Sequence, residues 1–572
     1  MGTILSHDKL SVELQTILNQ KTMKVMNIRR FGSLTLLLAL LTIAPSACKK
    51  VTNPLDNLKL IIDYNLIKTT VDFHIKDATT GQYLGSEVSR DALIIISGKD
   101  AQGVVDPVGG RLKDNSVKVT RGLASVGISP APAYVPSATK PVEFSVVVMA
   151  PGYLTTTRQV SLTQTGRHFV EVTMVSLNNT PNGVNATQQS GAANLNNGSV
   201  TAGATVTIPA AGTSLNIPQG LIMKDANGNL LQGQIDISMV HFDPTNSQAL
   251  NAFPGGMLPT VKRANGSTQK GMFYTAGFVA IDIIDQNGRV AATFENGTLE
   301  LTTEVSNQVY NPNNGGPVAA GNAVGIWSVN ENTGQWQEEG STTIFSQEGK
   351  LKVTAQLSHL SYYGFNWFGG NICEQGRPFV FNINPSLQGS FLIKAKVFRQ
   401  ADNALLTTSL MWITNGQPVF ITGMPTNTPI RIEWSTENSP FLLVDPGSQN
   451  MLMNELCGND PAQVNLIVNS NNNYTNITFQ VSVYCADRPE LVIYPSFTAY
   501  CQLLSGGPVI PIEMIQGQAV VPGILLGEVY YVWVIYEGNE YGAEATPTQT
   551  EYSLIDFEIP ADVCNEVFGG SK

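Results

Sequence analysis

Charge is scarce in this chain. Charged residues make up 13% of its 572 positions, about half the roughly 25% of an average globular protein. The 33 basic residues are outnumbered by 44 acidic ones, for a formal net charge of −11. Displacing counterions from phosphates takes a basic patch, and no basic cluster appears, so a nucleic-acid partner is not expected. Histidine is scarcer still, with five residues, His7, His74, His168, His241 and His359. None forms HExxH or a close pair, so no metal site is expected. Cysteine is absent between Cys48 and Cys373 and never occurs as CxxC, which excludes a dithiol redox pair and a four-cysteine zinc site. Gly-x-Ser-x-Gly, P-loop and GxGxxG contexts are missing too. No cofactor and no enzymatic activity are expected.

What is present reads as β structure. Hydrophobic residues at 42% rule out a disordered chain. The 52 glycines and 31 prolines suit a turn-rich fold. Period-two alternation marks half-buried strands at Val71–Ile75, Gln234–Met239, Phe278–Ile283 and Leu351–Leu357. Eight Asn-Gly dipeptides, at 182, 197, 227, 265, 287, 296, 314 and 415, supply the positive φ of type I′ hairpin turns. No helical periodicity follows residue 48. Length divided by about 150 residues gives roughly four domains. The expected fold is all-β, a string of about four Ig-like or transthyretin-like sandwiches. The boundaries expected are 58–177, 201–368, 371–470 and 474–568, with a polar Asn/Gly/Ser/Gln linker at 178–200.

The N-terminus reads as an address. Lys24, Arg29 and Arg30 precede an apolar run from Leu34 to Ile43, too short for a transmembrane helix of about 20 residues. Residues 1–47 read as an N-terminal extension and signal peptide, with a credible start at Met23 or Met26. Ser46-Ala47-Cys48 resembles the lipobox of bacterial lipoproteins, with Pro45 where that family usually has Leu. The resemblance implies cleavage before Cys48, a diacylglycerol and a palmitate on the new N-terminus, and an outer-membrane lipoprotein on a spacer over 48–57. Its partners would be the membrane, through the lipid anchor, and a protein or glycan ligand. An exported chain permits disulfides. Five cysteines remain after Cys48, so at most two bridges form. The expected pairs are Cys373–Cys457 and Cys485–Cys564, with Cys501 a buried thiol.

Two stretches resemble known families. Asp77-Ala78-Thr79-Thr80-Gly81 and Ala150-Pro151-Gly152-Tyr153 resemble turns of the carboxypeptidase regulatory-like sandwich, a non-catalytic domain. Across 201–368 an ordered series runs from Val206-Thr207-Ile208-Pro209 through Phe253-Pro254-Gly255-Gly256 and Gly334-Gln335-Trp336 to His359-Leu360-Ser361. It is similar to a domain of bacterial surface lipoproteins and cartilage intermediate layer protein, and to GAIN-type sandwiches. Self-cleaving GAIN-type domains use His-Leu-Ser/Thr. That resemblance implies His359 as base, Ser361 as nucleophile and Leu360 as acyl donor.

Against cleavage, the odd-numbered residues from Leu351 to Trp367 alternate without a break, as in one extended strand rather than a strained turn. Seventeen residues nevertheless exceeds the usual strand length of about 3–10. An intact chain is expected, with self-cleavage at Leu360-Ser361 as the alternative. Weaker signals complete the reading. Asp225-x-Asn227-x-Asn229 with Asp236 in the twelfth place departs from a calcium loop, since Leu230 stands where that loop has Gly, and reads as a hairpin. His241 and Asp243 flank Phe242 without metal spacing. The aromatic runs Tyr362, Tyr363, Phe365, Trp367 and Tyr530, Tyr531, Trp533, Tyr536 are either core or a sugar platform. A glycan-binding subunit of an uptake system would need them exposed.

Overall fold

The computed structural model describes residues 60–62 and 67–559, apart from 108, 331–332, 388, 438, 440, 470–472 and 537–538. Among the described residues, strands account for 57% and helix for 5%, so the fold is all-β. Each alternating segment named above lies inside a strand: Thr69–Asp77, Gly233–Phe242, Met272–Asp285 and Lys350–Leu357.

Four β units follow one another. The first is a sandwich of two four-stranded sheets. Its core is formed by Val71, Phe73 and Ile75 from one sheet and Ile94, Val146 and Val148 from the other. The second pairs an eleven-stranded sheet with a five-stranded one, closing over Ile235, Ile237, Ile281, Leu299, Leu301 and Val353. The third has two four-stranded sheets and a two-stranded ribbon, and the fourth is built on a nine-stranded sheet. Leu60–Ile62, expected in the first unit, instead adds parallel to Arg488–Ile493 in the sheet of the fourth.

The segment expected as a linker is largely sheet. Val184–Asn196 is a 13-residue strand, and Asn197-Gly198 turns it into Ser199–Val200. Its polarity misleads because the strand bulges. The register shifts between Gln189 and Ala193, and residues 188–191 stand exposed while Val184, Ala193, Leu195 and Val200 are buried. The Asn-Gly dipeptides also divide. The glycine has positive φ in all eight, but the asparagine does so only at Asn197 and Asn296. Two positive φ values suit the two-residue I′ loop, as at Asn197-Gly198. At Asn227 and Asn287 the turn is longer, and Asp225 and Asp285 accept its backbone N–H groups.

The units are not separate beads. Strand Met272–Asp285 of the second unit is buried on both faces because it serves two cores. Ala276, Val279, Ile281 and Ile283 enter its own sandwich. Phe273 and Phe278, on either side of a register shift at Thr275–Gly277, join a cluster continuous with Phe379, Phe381 and Trp434 of the third unit. The first unit touches the fourth through Leu123 against Tyr500 and Trp533.

Candidate functional site

His359-Leu360-Ser361 lies at a corner, not within a strand. Lys350–Leu357 belongs to the five-stranded sheet, and Tyr362–Gly369 to the eleven-stranded sheet. The unbroken alternation is real, but the chain changes sheets at 358–361. Val353, Ala355 and Leu357 enter the core from one sheet, and Tyr363, Phe365 and Trp367 enter the same core from the facing one. Leu360 N–H donates to Ala292 O (2.8 Å), and His359 bridges to Thr293, so the corner is stitched to the strand beside it. None of its residues has the left-handed φ that stores backbone strain.

The side chains of the corner take separate hydrogen-bond partners. Ser361 Oγ, 3% exposed, donates to Val329 O at 2.6 Å. The His359 ring lies against Glu339 Oε1 (3.3 Å), Leu360 O (3.3 Å) and the Tyr363 hydroxyl (3.4 Å). Tyr363 Oη also donates to His359 O at 2.7 Å. The imidazole therefore faces the carbonyl oxygen of the Leu360 peptide and a carboxylate, while the hydroxyl points to another strand. Glu339 sits below its ordinary pKa because His359 and Ser328 hydrogen-bond to it.

The remaining sequence signals resolve into structure. Asp225 accepts from Asn227 N, Asn229 N and Asn229 Nδ2, a hairpin turn. Asp236, its twelfth position, accepts from Gly191 N in the neighbouring bulge (2.9 Å). No group of three or more His, Cys, Asp or Glu side chains among the described residues could hold a metal ion. His241 is buried with both ring nitrogens unpaired, and burial holds its pKa down to about 4. Asp243 accepts from Thr245 instead. Tyr362, Tyr363, Phe365 and Trp367 are buried, as are Tyr530 and Trp533, while Tyr531 is half-buried; the Tyr536 side chain lies outside the described residues. The described members of the two runs form no exposed platform.

Cys373 and Cys457 are bonded, with Cα atoms 6.0 Å apart. Cys485 is also disulfide-bonded; Cys564 and Cys48 lie outside the described residues. Cys501 is a free, buried thiol, and burial pushes its pKa up to about 12. The two pieces resembling a regulatory-like sandwich meet, since Tyr153 Oη donates to Asp77 Oδ2 at 3.0 Å. Two pieces of the second series meet as well. Phe253 stacks on Trp336 with centroids 5.9 Å apart. Gly255 holds φ +81° so close beneath that indole that a Cβ would lie 2.3 Å from Nε1.

Sequence reasoning missed the junction between units. Lys76 and Glu171 of the first unit and Lys394 and Glu437 of the third form a closed ring of alternating charge. Lys76 Nζ lies 3.0 Å from Glu171 and 2.7 Å from Glu437, and Lys394 Nζ lies 2.8 Å from Glu171 and pairs with Glu437. The four side chains are 5–19% exposed. Despite burial, the two lysines hold Glu437 down to about 2 and Glu171 below its ordinary value. His74 lies behind the ring, and burial, helped by Lys76, depresses its pKa to about 3.

Other charges between the units repeat the theme. Arg158 of the first unit donates to Asn251 O and Phe253 O, carbonyls at and just beyond the end of helix Ser247–Asn251 of the second. Arg399 of the third donates to Phe273 O of the second and stacks on Tyr274 at 3.4 Å. Lys270 joins Glu143 and Glu374. Thr498 of the fourth unit bridges Arg167 and Asp72 of the first. Periodicity gives no hint of these pairs, which are up to 426 residues apart.

No protein-family model and no curated protein matches the chain. Among solved structures it is similar to the TIE protein of Bacillus anthracis, at 9% identity over 67% of this chain and 76% of that one, with a TM-score of 0.13. It is also similar to the full-length RrgB pilus protein of Streptococcus pneumoniae, at 8% identity over 84% and 94%, with a TM-score of 0.12. For GBS52, a minor pilin of Streptococcus agalactiae, identity is 8% over 33% and 94%, with a TM-score of 0.13. At these values no property of those proteins passes to this chain.

Proposed function

We propose that this chain is a non-catalytic lipoprotein of the outer membrane, held by Cys48 and acting as a binding or scaffolding module of the cell envelope. The charged n-region, the short apolar run and Ser46-Ala47-Cys48 support the anchor. Among the described residues, no helix is long and apolar enough to cross a membrane. The observation that carries the non-catalytic reading is the hydrogen bond from Ser361 Oγ to Val329 O. It takes the one candidate nucleophile away from its candidate base, and general-base catalysis needs the two within hydrogen-bond reach. The multi-point junction favours a rigid body that presents surface loops, as a scaffold requires.

Fractionation tests the anchor. Wild type is expected in the membrane fraction and Cys48→Ala in the soluble fraction. Recovery of unmodified Cys48 within an intact N-terminal peptide of the mature protein would refute it. Intact mass tests the rest, with one full-length mature species expected. A C-terminal fragment beginning at Ser361, lost in Ser361→Ala, would make the second unit an autoproteolytic module instead.

A further inference from the structure

A cavity of about 530 Å³ opens where the first, third and fourth units meet, within the roughly 300–1,000 Å³ of small-molecule sites. Its floor is the outer face of strand Ser390–Arg399, where Leu392, Lys394 and Lys396 alternate outward. Trp412 lies beside Leu392 on the next strand. The walls carry Tyr83 and Arg121 of the first unit and Trp533 of the fourth.

The lining chemistry is one-sided. Four cations, Lys76, Arg121, Lys394 and Lys396, face a single carboxylate, Glu437, in a chain whose net charge is −11. Lys76 and Lys394 are satisfied within the charge ring, and Arg121 pairs with Glu540 at 2.6 Å. Lys396 is in no ion pair among the described residues. The indole N–H groups of Trp412 and Trp533 are buried and meet no acceptor there, and Trp533 is only 1% exposed. Those two indole N–H groups are shut off from the cavity, so the cation it leaves open and without a counter-charge is Lys396. The missing component is an anion. The half-buried rings of Tyr83 and Trp412 add flat apolar faces of the kind on which sugar rings pack.

From this arrangement we propose that the cavity binds an acidic oligosaccharide, with a sugar carboxylate on Lys396 and a sugar ring packed on Tyr83 and Trp412. The proposal rests on the non-catalytic binding reading and names its ligand class. The test is calorimetric titration of the full mature protein with tri-galacturonate, with maltotriose as the neutral control and poly-glutamate as the acidic peptide control. Tri-galacturonate should bind one to one, with Trp fluorescence changing in step, and weaken as salt rises. Lys396→Ala should weaken it at least tenfold with an unchanged melting temperature, and Lys396→Arg should recover most of the loss. Absence of binding at millimolar sugar, equal binding of maltotriose or poly-glutamate, or indifference to Lys396→Ala would overturn the proposal. Chain shortening of the bound sugar, read by mass spectrometry, would support the site and overturn the non-catalytic reading. An inert sugar that fails to bind would leave that reading standing and remove the site.

Discussion

The charge ring at the junction can be broken from one corner. Lys394→Met removes one of two cations and leaves Glu171 and Glu437 to share Lys76. Truncating one partner of a buried ion pair costs about 3–5 kcal/mol, because the remaining charge stays desolvated. Glu437 keeps 19% exposure and Lys76 remains, so about 3 kcal/mol is expected. At roughly 2–4 °C per kcal/mol for a folding unit of 150–250 residues, the transition involving the first and third units should fall by roughly 6–12 °C. Scanning calorimetry on the mature protein reads this. An exposed pair is the control. Lys350–Glu304, 59% and 31% exposed, should cost less than about 1 kcal/mol when cut by Lys350→Met. Replacing all four ring residues by Met and Leu should instead be near neutral, since apolar packing often substitutes for a buried ion pair. If Lys394→Met melts with Lys350→Met, the ring is not coupling the units and the reasoning fails.

Acid supplies a second prediction. Glu437 and Glu171 have pKa values lowered by folding, so their contribution is complete above the unfolded value near 4.3 and disappears as pH falls towards about 2. The neutral histidines act earlier. His74, held down to about 3, and His241, held down to about 4, must lose stability as pH drops below about 6.5, by up to about 1.4 kcal/mol per pH unit each. Urea midpoints between pH 4 and 7 should fall with acid, and His241→Gln should flatten the curve; an unchanged slope would refute the assignment. Removing the bridge in Cys373→Ala/Cys457→Ala, which spans 84 residues, should cost about 4.5 kcal/mol in the chain-entropy picture, and a loss under about 1 kcal/mol by denaturant unfolding would contradict it. Gly255→Ala should destabilise the second unit by several kcal/mol, since it combines a left-handed φ with a clash against Trp336; a thermal shift matching that of Gly288→Ala, whose added Cβ meets nothing within 4 Å, would show that the clash is relieved.

Strand content is legible because period two is a local signal. Gln234–Met239 and Phe278–Ile283 alternate, and their neighbours in the sheet need not be known to see it. The bond between Cys373 and Cys457 is legible from placement, because the two stand towards the ends of the third expected unit in an exported chain. Local reading fails where the third dimension decides. Val184–Asn196 reads as a linker because the exposed run at residues 188–191, beside the register shift, interrupts the alternation that Ala193 and Leu195 resume. Leu351–Trp367 reads as one strand because a corner between facing sheets keeps the same face turned to the same core, so the pattern cannot register the bend.

The corner shows why a motif needs its geometry. His359 and Ser361 are two apart, and on a straight strand both would stand on one side within reach of each other. The chain bends there, and the two side chains take separate partners on neighbouring strands of the eleven-stranded sheet, Glu339 for the imidazole and Val329 O for the hydroxyl. The cavity lysines show the converse. Lys394 and Lys396 are also two apart, but their strand keeps its register from Ser390 to Val397, so both side chains line the same space. One is neutralised by carboxylates from two units, and the other is not. That difference is invisible in sequence, because Glu171 lies 223 positions from Lys394. Spacing alone therefore ranks the two pairs equally, and the backbone between them decides which one can act on a shared ligand.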